Sequence, residues 1–164
     1  MKRAWIGLML ALAAPAMAQA QPQTPTASAR AFVDGIYRPW IAAIKRGSNS
    51  YQPKSDASLY APELAALLQK DQRISNRTGD VGVIDWAILC SCQDDGGLGY
   101  NITAVSATTT SGIAKVALSF GGKYSTTLTL RLVRTRPGWR IADVADNEMP
   151  SLLAMLRREL AGKR

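Results

Sequence analysis

Apolar residues recur at two different spacings along this chain, and the change divides it. In the first part, Phe32, Val33, Ile36, Tyr37, Trp40, Ile41 and Ile44 are three and four apart, the stripe of an amphipathic helix. Ser28 is placed to cap its start, Pro39 should kink it, and Gly47 ends it. A polar loop over 48–55 follows. A second helix begins near Ser58 or Ala61, where Pro62 suits the first turn and Glu63 complements the helix dipole. Leu64, Leu67, Leu68 and Asp71 continue it, and it ends before Thr78-Gly79. Residues 81–86 form a short apolar stretch.

Beyond residue 99 the period falls to two. Segments 100–108, 113–120, 124–134 and 139–144 are rich in β-branched and aromatic residues. Ser111-Gly112, Gly121-Gly122 and Pro137-Gly138 separate them, so four strands in an antiparallel meander are predicted. Leu128, Leu130 and Leu132 alternate with Thr127, Thr129 and Arg131, which buries one sheet face and leaves the other wet. Trp139 should seal the core at the last hairpin. A closing helix over 151–160 carries Leu152, Leu153, Leu156 and Leu160 on one side. The expectation is one α+β domain over 28–162, with N-terminal helices on a curved antiparallel sheet of about four strands and a C-terminal helix.

The N-terminus changes the picture by giving a location. Lys2 and Arg3 precede an apolar run over 4–14, and Ala16-Met17-Ala18 follows. This is the pattern of a secretory signal peptide over 1–18, cleaved after Ala18 or alternatively after Ala20. The run is too short and Ala-rich for a membrane span, so no transmembrane segment is expected in the mature chain. No Cys adjoins the site to carry a lipid, which predicts a free periplasmic or secreted protein. Residues 19–27, made of Gln, Pro, Thr and Ala, read as a disordered leader.

Composition then narrows the chemistry. The formal charge is +8, with 20 Lys+Arg against 12 Asp+Glu. The cations are dispersed rather than interleaved with aromatics, and an exported chain rarely meets nucleic acid, so a nucleic-acid partner is not expected. Attraction to an envelope protein or to an anionic small molecule or polymer is the alternative to a merely solvated basic surface. Histidine is absent, which removes the usual general base and the commonest metal ligand. No metal and no cofactor are expected.

The segment around Asp85, Cys90, Cys92, Gln93 and Asp94 resembles the Asp-…-Gln-Asp block of a bacterial exported family of unknown function. The hairpin Gly138-Trp139-Arg140-Ile141-Ala142-Asp143-Val144, the later Ser151-Leu152-Leu153 and the helix start Leu59-Tyr60-Ala61-Pro62-Glu63-Leu64 are similar to other parts of that family. Its members are small periplasmic proteins and lipoproteins with a nuclear transport factor 2-like, cone-shaped α+β domain. The resemblance implies that fold over about 31–160 and implies no activity. Cone folds host isomerases, dehydratases and passive binding modules alike.

Three constellations are candidates for function. In an isomerase-like use of the cone, Asp85, Tyr37, Tyr60 and Trp86 meet at its open end, where an apolar pocket turns Asp85 into a proton-transferring group. The preferred reading is that Tyr37 and Trp86 are core and that Asp85 caps a turn or bonds backbone amides. Cys90 and Cys92 sit about 6.5–7 Å apart if the strand is extended, at or past the limit for a bridge, so a bond between them requires a tight local turn. A local disulfide clip, two reduced thiols, an intermolecular bridge and a redox pair all stay open, with the structural readings preferred. Asp94-Asp95-Gly96-Gly97 reads as a turn rather than a calcium loop. Lys115, Arg131, Arg134, Arg136 and Arg140 are spread over three neighbouring strands and could form a positive stripe for carboxylates or phosphates. The leading functional expectation is a non-enzymatic exported binding or interaction domain. A cone-fold enzyme using Asp85 and a thiol-redox protein using Cys90 and Cys92 are the alternatives.

Overall fold

The computed structural model describes residues 23–48 and 58–163. The stretches expected to be a signal peptide over 1–18 and the first part of a leader, and most of the polar loop expected over 48–55, lie outside the described residues. The first helix, α1 (Pro25–Lys45), starts earlier than the stripe alone indicates. Thr24 is its N-cap, accepting a hydrogen bond from the Ala27 amide at 3.2 Å, and Pro25 takes the first turn. Residues 25–27 are therefore helical rather than part of a disordered leader. Ser28 lies inside the helix, and its hydroxyl accepts from Trp139 Nε1 at 3.1 Å and Arg134 Nη1 at 3.0 Å. Pro39 does not end α1. The carbonyl it leaves without a donor belongs to Gly35, which faces solvent. Ala29, Val33, Ile36, Tyr37, Trp40 and Ile41 form the buried side.

The second helix, α2 (Pro62–Thr78), has Pro62 in its first turn and closes on Gly79, whose φ of 76° is the left-handed C-cap that glycine adopts at little cost. The third, α3 (Leu152–Glu159), is capped by Ser151, and Leu152, Leu156 and Leu160 enter the core.

Between α2 and α3 run β1 (Leu98–Ala107), β2 (Ser111–Phe120), β3 (Lys123–Thr135) and β4 (Gly138–Ala145). They form one antiparallel sheet in the order β1-β2-β3-β4. The fold is α+β, with two helices before the sheet and one after it. The first turn is displaced from its expected place. Ser111 and Gly112 already belong to β2, and Thr108 makes the turn by accepting from the amides of Thr110 and Ser111. At Gly121-Gly122 both φ angles are positive, 56° and 79°, as a type I′ hairpin requires.

Cross-strand register separates two faces. Ile102, Val116 and Leu128 line up toward α1, as do Ala114 and Leu130, and all are buried. Lys115 faces Thr129 and Ile113 faces Arg131 on the outer side, where the Lys115, Ile113 and Arg131 side chains are exposed. Bulges at 102/104, 118/119 and 131/132 bend the strands.

Both edges of the sheet are engaged. On the β1 side, Thr26 exchanges hydrogen bonds with the Ala107 carbonyl and amide, and Arg30 donates to the Ile102 carbonyl at 3.2 Å. On the β4 side, the chain entering α2 pairs in parallel with Ile141: Ile141 N donates to the Leu59 carbonyl and Ala61 N to the Ile141 carbonyl, each at 2.8 Å.

Residues 79–97 have no regular structure and are held by separate latches. Buried Asp71 accepts from the amides of Val83 (2.8 Å) and Ile84 (3.0 Å). Gly82 makes this possible, since a Cβ there would lie 2.7 Å from Asp71 Oδ2. Tyr37 donates to the Leu89 carbonyl at 2.8 Å, Ser91 to Asp146 at 2.8 Å, and Trp40 Nε1 to Asp95 at 2.7 Å. Buried Asp143 performs the same service for α3, accepting from the Leu153 amide and the Ser151 hydroxyl.

Candidate functional site

A groove of about 460 Å³ opens between the first half of α2 and the β3–β4 hairpin. Its α2 wall is Pro62, Ala65, Ala66 and Gln69, residues three and four apart on one helix face, and the alanines leave the space that longer side chains would fill. The opposite wall is Thr135, Pro137 and Arg140, with Tyr60 between them. The docking of 59–61 on β4 creates this site, because it sets the start of α2 beside the hairpin.

Arg140 is the groove's charged group. It is partly buried, and one corner of its guanidinium donates to the Trp139 carbonyl at 2.7 Å. Among the described residues it has no carboxylate partner, whereas Arg38, Arg131, Arg157 and Arg158 each have one. The nearby acid of α2, Glu63, is engaged by Arg157 of α3. Thr135 spends its hydroxyl on the Gly138 carbonyl at 2.8 Å and presents the groove with no free donor from that bond. The result is an apolar trough with one unneutralised cation, a setting that favours an anionic group attached to an apolar body.

The expected gathering of Asp85, Tyr37, Tyr60 and Trp86 divides. Asp85 is exposed, so the apolar enclosure that would make it a proton-transfer group is missing. Its stretch of chain is pinned through the amides of Val83 and Ile84, which leaves Asp85 on the outside. Trp86 is partly buried. Tyr37 and Tyr60 are both buried in the core, and Tyr37 stacks on Tyr100 with ring centres 5.0 Å apart. Burial pushes the Tyr37 phenol well above its ordinary range, and the neighbouring Tyr60 adds to this. Burial alone raises Tyr60. Both are therefore neutral hydroxyls at physiological pH rather than bases.

Cys90 and Cys92 are bonded to each other, with Cα atoms 5.1 Å apart. The tight local turn that a bond at this spacing requires is present. Ser91 has a left-handed φ of 49°, and Ala87 pairs with Cys92 across the turn. Cys90 is fully buried, and its sulfur lies 3.4 Å and 3.8 Å from the carbonyl oxygens of Ala87 and Cys92. That surrounding is the reverse of the accessible, electropositive one that activates a cysteine.

The residues named for a basic stripe are divided between the two sides of the sheet. Lys115 and Arg131 share the outer face, and Arg131 leans toward Asp143 at 3.8 Å. Arg134 is three residues from Arg131, an odd separation, so it points to the opposite side. There it lies over the Trp139 ring at 5.3 Å and bonds Ser28. Arg136 is in the hairpin turn, and Arg140, paired with Val133, lies on the same sheet face as Arg131 and borders the groove. Sequence reasoning had named Tyr60 and Arg140 for different purposes. The structure brings them to one site and adds Pro62, Ala65, Ala66 and Pro137, which carry no chemical signal of their own.

Among the described residues, no three His, Cys, Asp or Glu side chains gather to hold a metal ion, and no helix is long and apolar enough to cross a membrane. No protein-family model matches the chain, and comparison with curated proteins gives no match. Among solved structures, a phospholipid-binding protein from Ralstonia solanacearum, in complex with a phospholipid, is similar at 13% identity over 85% of this chain and 86% of that one, with a TM-score of 0.46. A likeness of that depth carries no weight for ligand or activity.

Proposed function

We propose that this chain is an exported, non-enzymatic binding domain whose ligand carries a negative charge and sits in the groove of Tyr60 and Arg140. One observation carries the reading: Arg140 is partly buried beside apolar walls with no carboxylate to neutralise it among the described residues. Holding a guanidinium in such a place has a desolvation cost that an incoming anion offsets. The surrounding chemistry agrees. The two buried tyrosines are neutral, Asp85 is in water and the cysteines are locked in a bond, so the side chains named for catalysis are spent or exposed.

Export is supported by the charged, apolar and small-residue pattern over 1–18 and by the disulfide, a bond that persists in oxidising compartments. The order of elements, helices followed by a bulged antiparallel meander, supports a nuclear transport factor 2-like cone as the family of the fold.

Two measurements test the proposal. The intact mass of protein recovered from the periplasm or medium should correspond to a chain beginning at Gln19 or Gln21, two hydrogens lighter than the dithiol. An unprocessed chain retained in the cytoplasm overturns export. Native mass spectrometry of the same material, with and without an added panel of anionic metabolites, should show a bound anion on the wild type that Arg140→Gln lacks. A wild type that retains nothing overturns the binding role.

A further inference from the structure

We propose that the groove selects a monocarboxylate with an apolar body, a ligand class that follows from how Arg140 is held; this deepens the binding role above and rests on it. The first argument is charge. Arg140 is the one cation among the lining residues, and those residues include no acid. A single positive charge balances a single negative one. A phosphate dianion would need a second cation, which the walls do not provide.

The second argument is shape. One corner of the guanidinium is tied to the Trp139 carbonyl. A planar group fixed at one corner presents its remaining N–H donors as a fork in a set plane, and a carboxylate is the planar two-oxygen acceptor that fits such a fork. The third argument is the walls. Pro62, Ala65, Ala66 and Pro137 offer carbon to the body of the ligand, while the Gln69 amide stands on the α2 side. At about 460 Å³ the groove falls within the range of roughly 300–1,000 Å³ typical of small-molecule sites. The same chemistry is found in a medium-chain fatty acid and in the C-terminus of a short peptide ending in leucine, so both sources enter the test.

The experiment uses the full exported protein and competition against dansyl-undecanoate, read by fluorescence. Decanoate should displace the probe. Its methyl ester and decyl phosphate should each compete at least about tenfold more weakly. Arg140→Gln should lose about tenfold or more for decanoate and nothing for decanol, and Arg140→Lys should fall between because it keeps the charge without the fork. Ala66→Phe, which fills the trough, should abolish displacement, and Lys123→Gln, on the distant β2–β3 hairpin, should match the wild type. Thermal melts of every variant identify any that fail to fold. Displacement by a Leu-terminated peptide but not by decanoate assigns the carboxylate to a peptide, and the reverse assigns it to a fatty acid. Equal competition by decanoate and its ester, or an unaffected Arg140→Gln, overturns the proposal. A protein that binds another anion while ignoring every carboxylate also overturns it, yet leaves the broader binding role standing.

Discussion

The meander over 98–145 and the irregular segment over 79–97 pack against the same α1 helix, yet they are secured by different physics. The meander is held by repetition. Each strand adds a ladder of backbone bonds and a row of buried side chains, among them Ala114, Val116, Leu128 and Leu130, all with no exposed surface. Loss of one contact is shared with many neighbours. The segment buries only Ile88, Leu89 and Cys90 in the core and is otherwise held by single devices: one carboxylate on two amides, one phenol on one carbonyl, one serine on one carboxylate, one indole on one carboxylate and one disulfide. Each stands nearly alone. Damage to the meander should therefore lower the stability of the whole domain, whereas damage to a latch should loosen the segment first.

The largest effect expected is that of Leu130→Ala. Truncating a fully buried leucine costs about 2–5 kcal/mol, and denaturant unfolding should shift to a lower midpoint with unchanged slope. Next is Asp71→Ala, which strands the partly buried amides of Val83 and Ile84 at about 1–3 kcal/mol. Hydrogen exchange should accelerate at Val83 and Ile84 well beyond any change in the meander. Uniform acceleration across both regions would show that the two are one cooperative unit. Gly82→Ala should mimic it by pushing the Asp71 carboxylate aside.

Replacing Cys90 and Cys92 together by serine comes third. A closed loop of three residues is worth about 1.6 kcal/mol on chain-entropy grounds. The melting temperature of the double variant should fall modestly, and faster exchange should be confined to residues around 87–92. Tyr37→Phe is the smallest at neutral pH, about 1 kcal/mol for one hydrogen bond. It has a distinct signature in base. Tyr37 and Tyr60 have folded pKa values above the ordinary value near 10. Their contribution to stability is complete below that pH and is lost as pH rises past it, because the unfolded chain releases the protons first. Stability of the wild type should therefore drop above pH 10, and the drop should be shallower by about one proton in Tyr37→Phe. An identical slope in both would mean that the phenol is not desolvated.

The same contrast explains what could be read from the sequence. The meander and the three helices were legible because each repeats: Leu128, Leu130 and Leu132 state the strand, and Leu152, Leu156 and Leu160 state the helix. Parity alone could have separated Arg131 from Arg134. The start of α1 was also written, in Thr24 followed by Pro25, but a Pro- and Thr-rich stretch reads as leader until a helix is seen to need its cap. The site was not legible. Tyr60 and Arg140 are 80 residues apart and meet only because 59–61 pairs with Ile141 through backbone atoms, whose bonding leaves no mark on side-chain pattern. The exposure of Asp85 was hidden for a similar reason: it follows from where Asp71 anchors the neighbouring amides.

The engaged edges of the sheet bear on what becomes of the protein at high concentration. Open edges are templates on which a second chain can add a strand, the first step toward fibrils. Here Thr26 and Arg30 occupy positions along one border, and the backbone of 59–61 occupies the other. Growth of the sheet by strand addition is blunted on both sides, so crowding should favour a dispersed population over filaments. Arg30→Ala with Thr26→Val should reopen the first border while leaving the core intact, and light scattering at high concentration should then rise above that of the wild type.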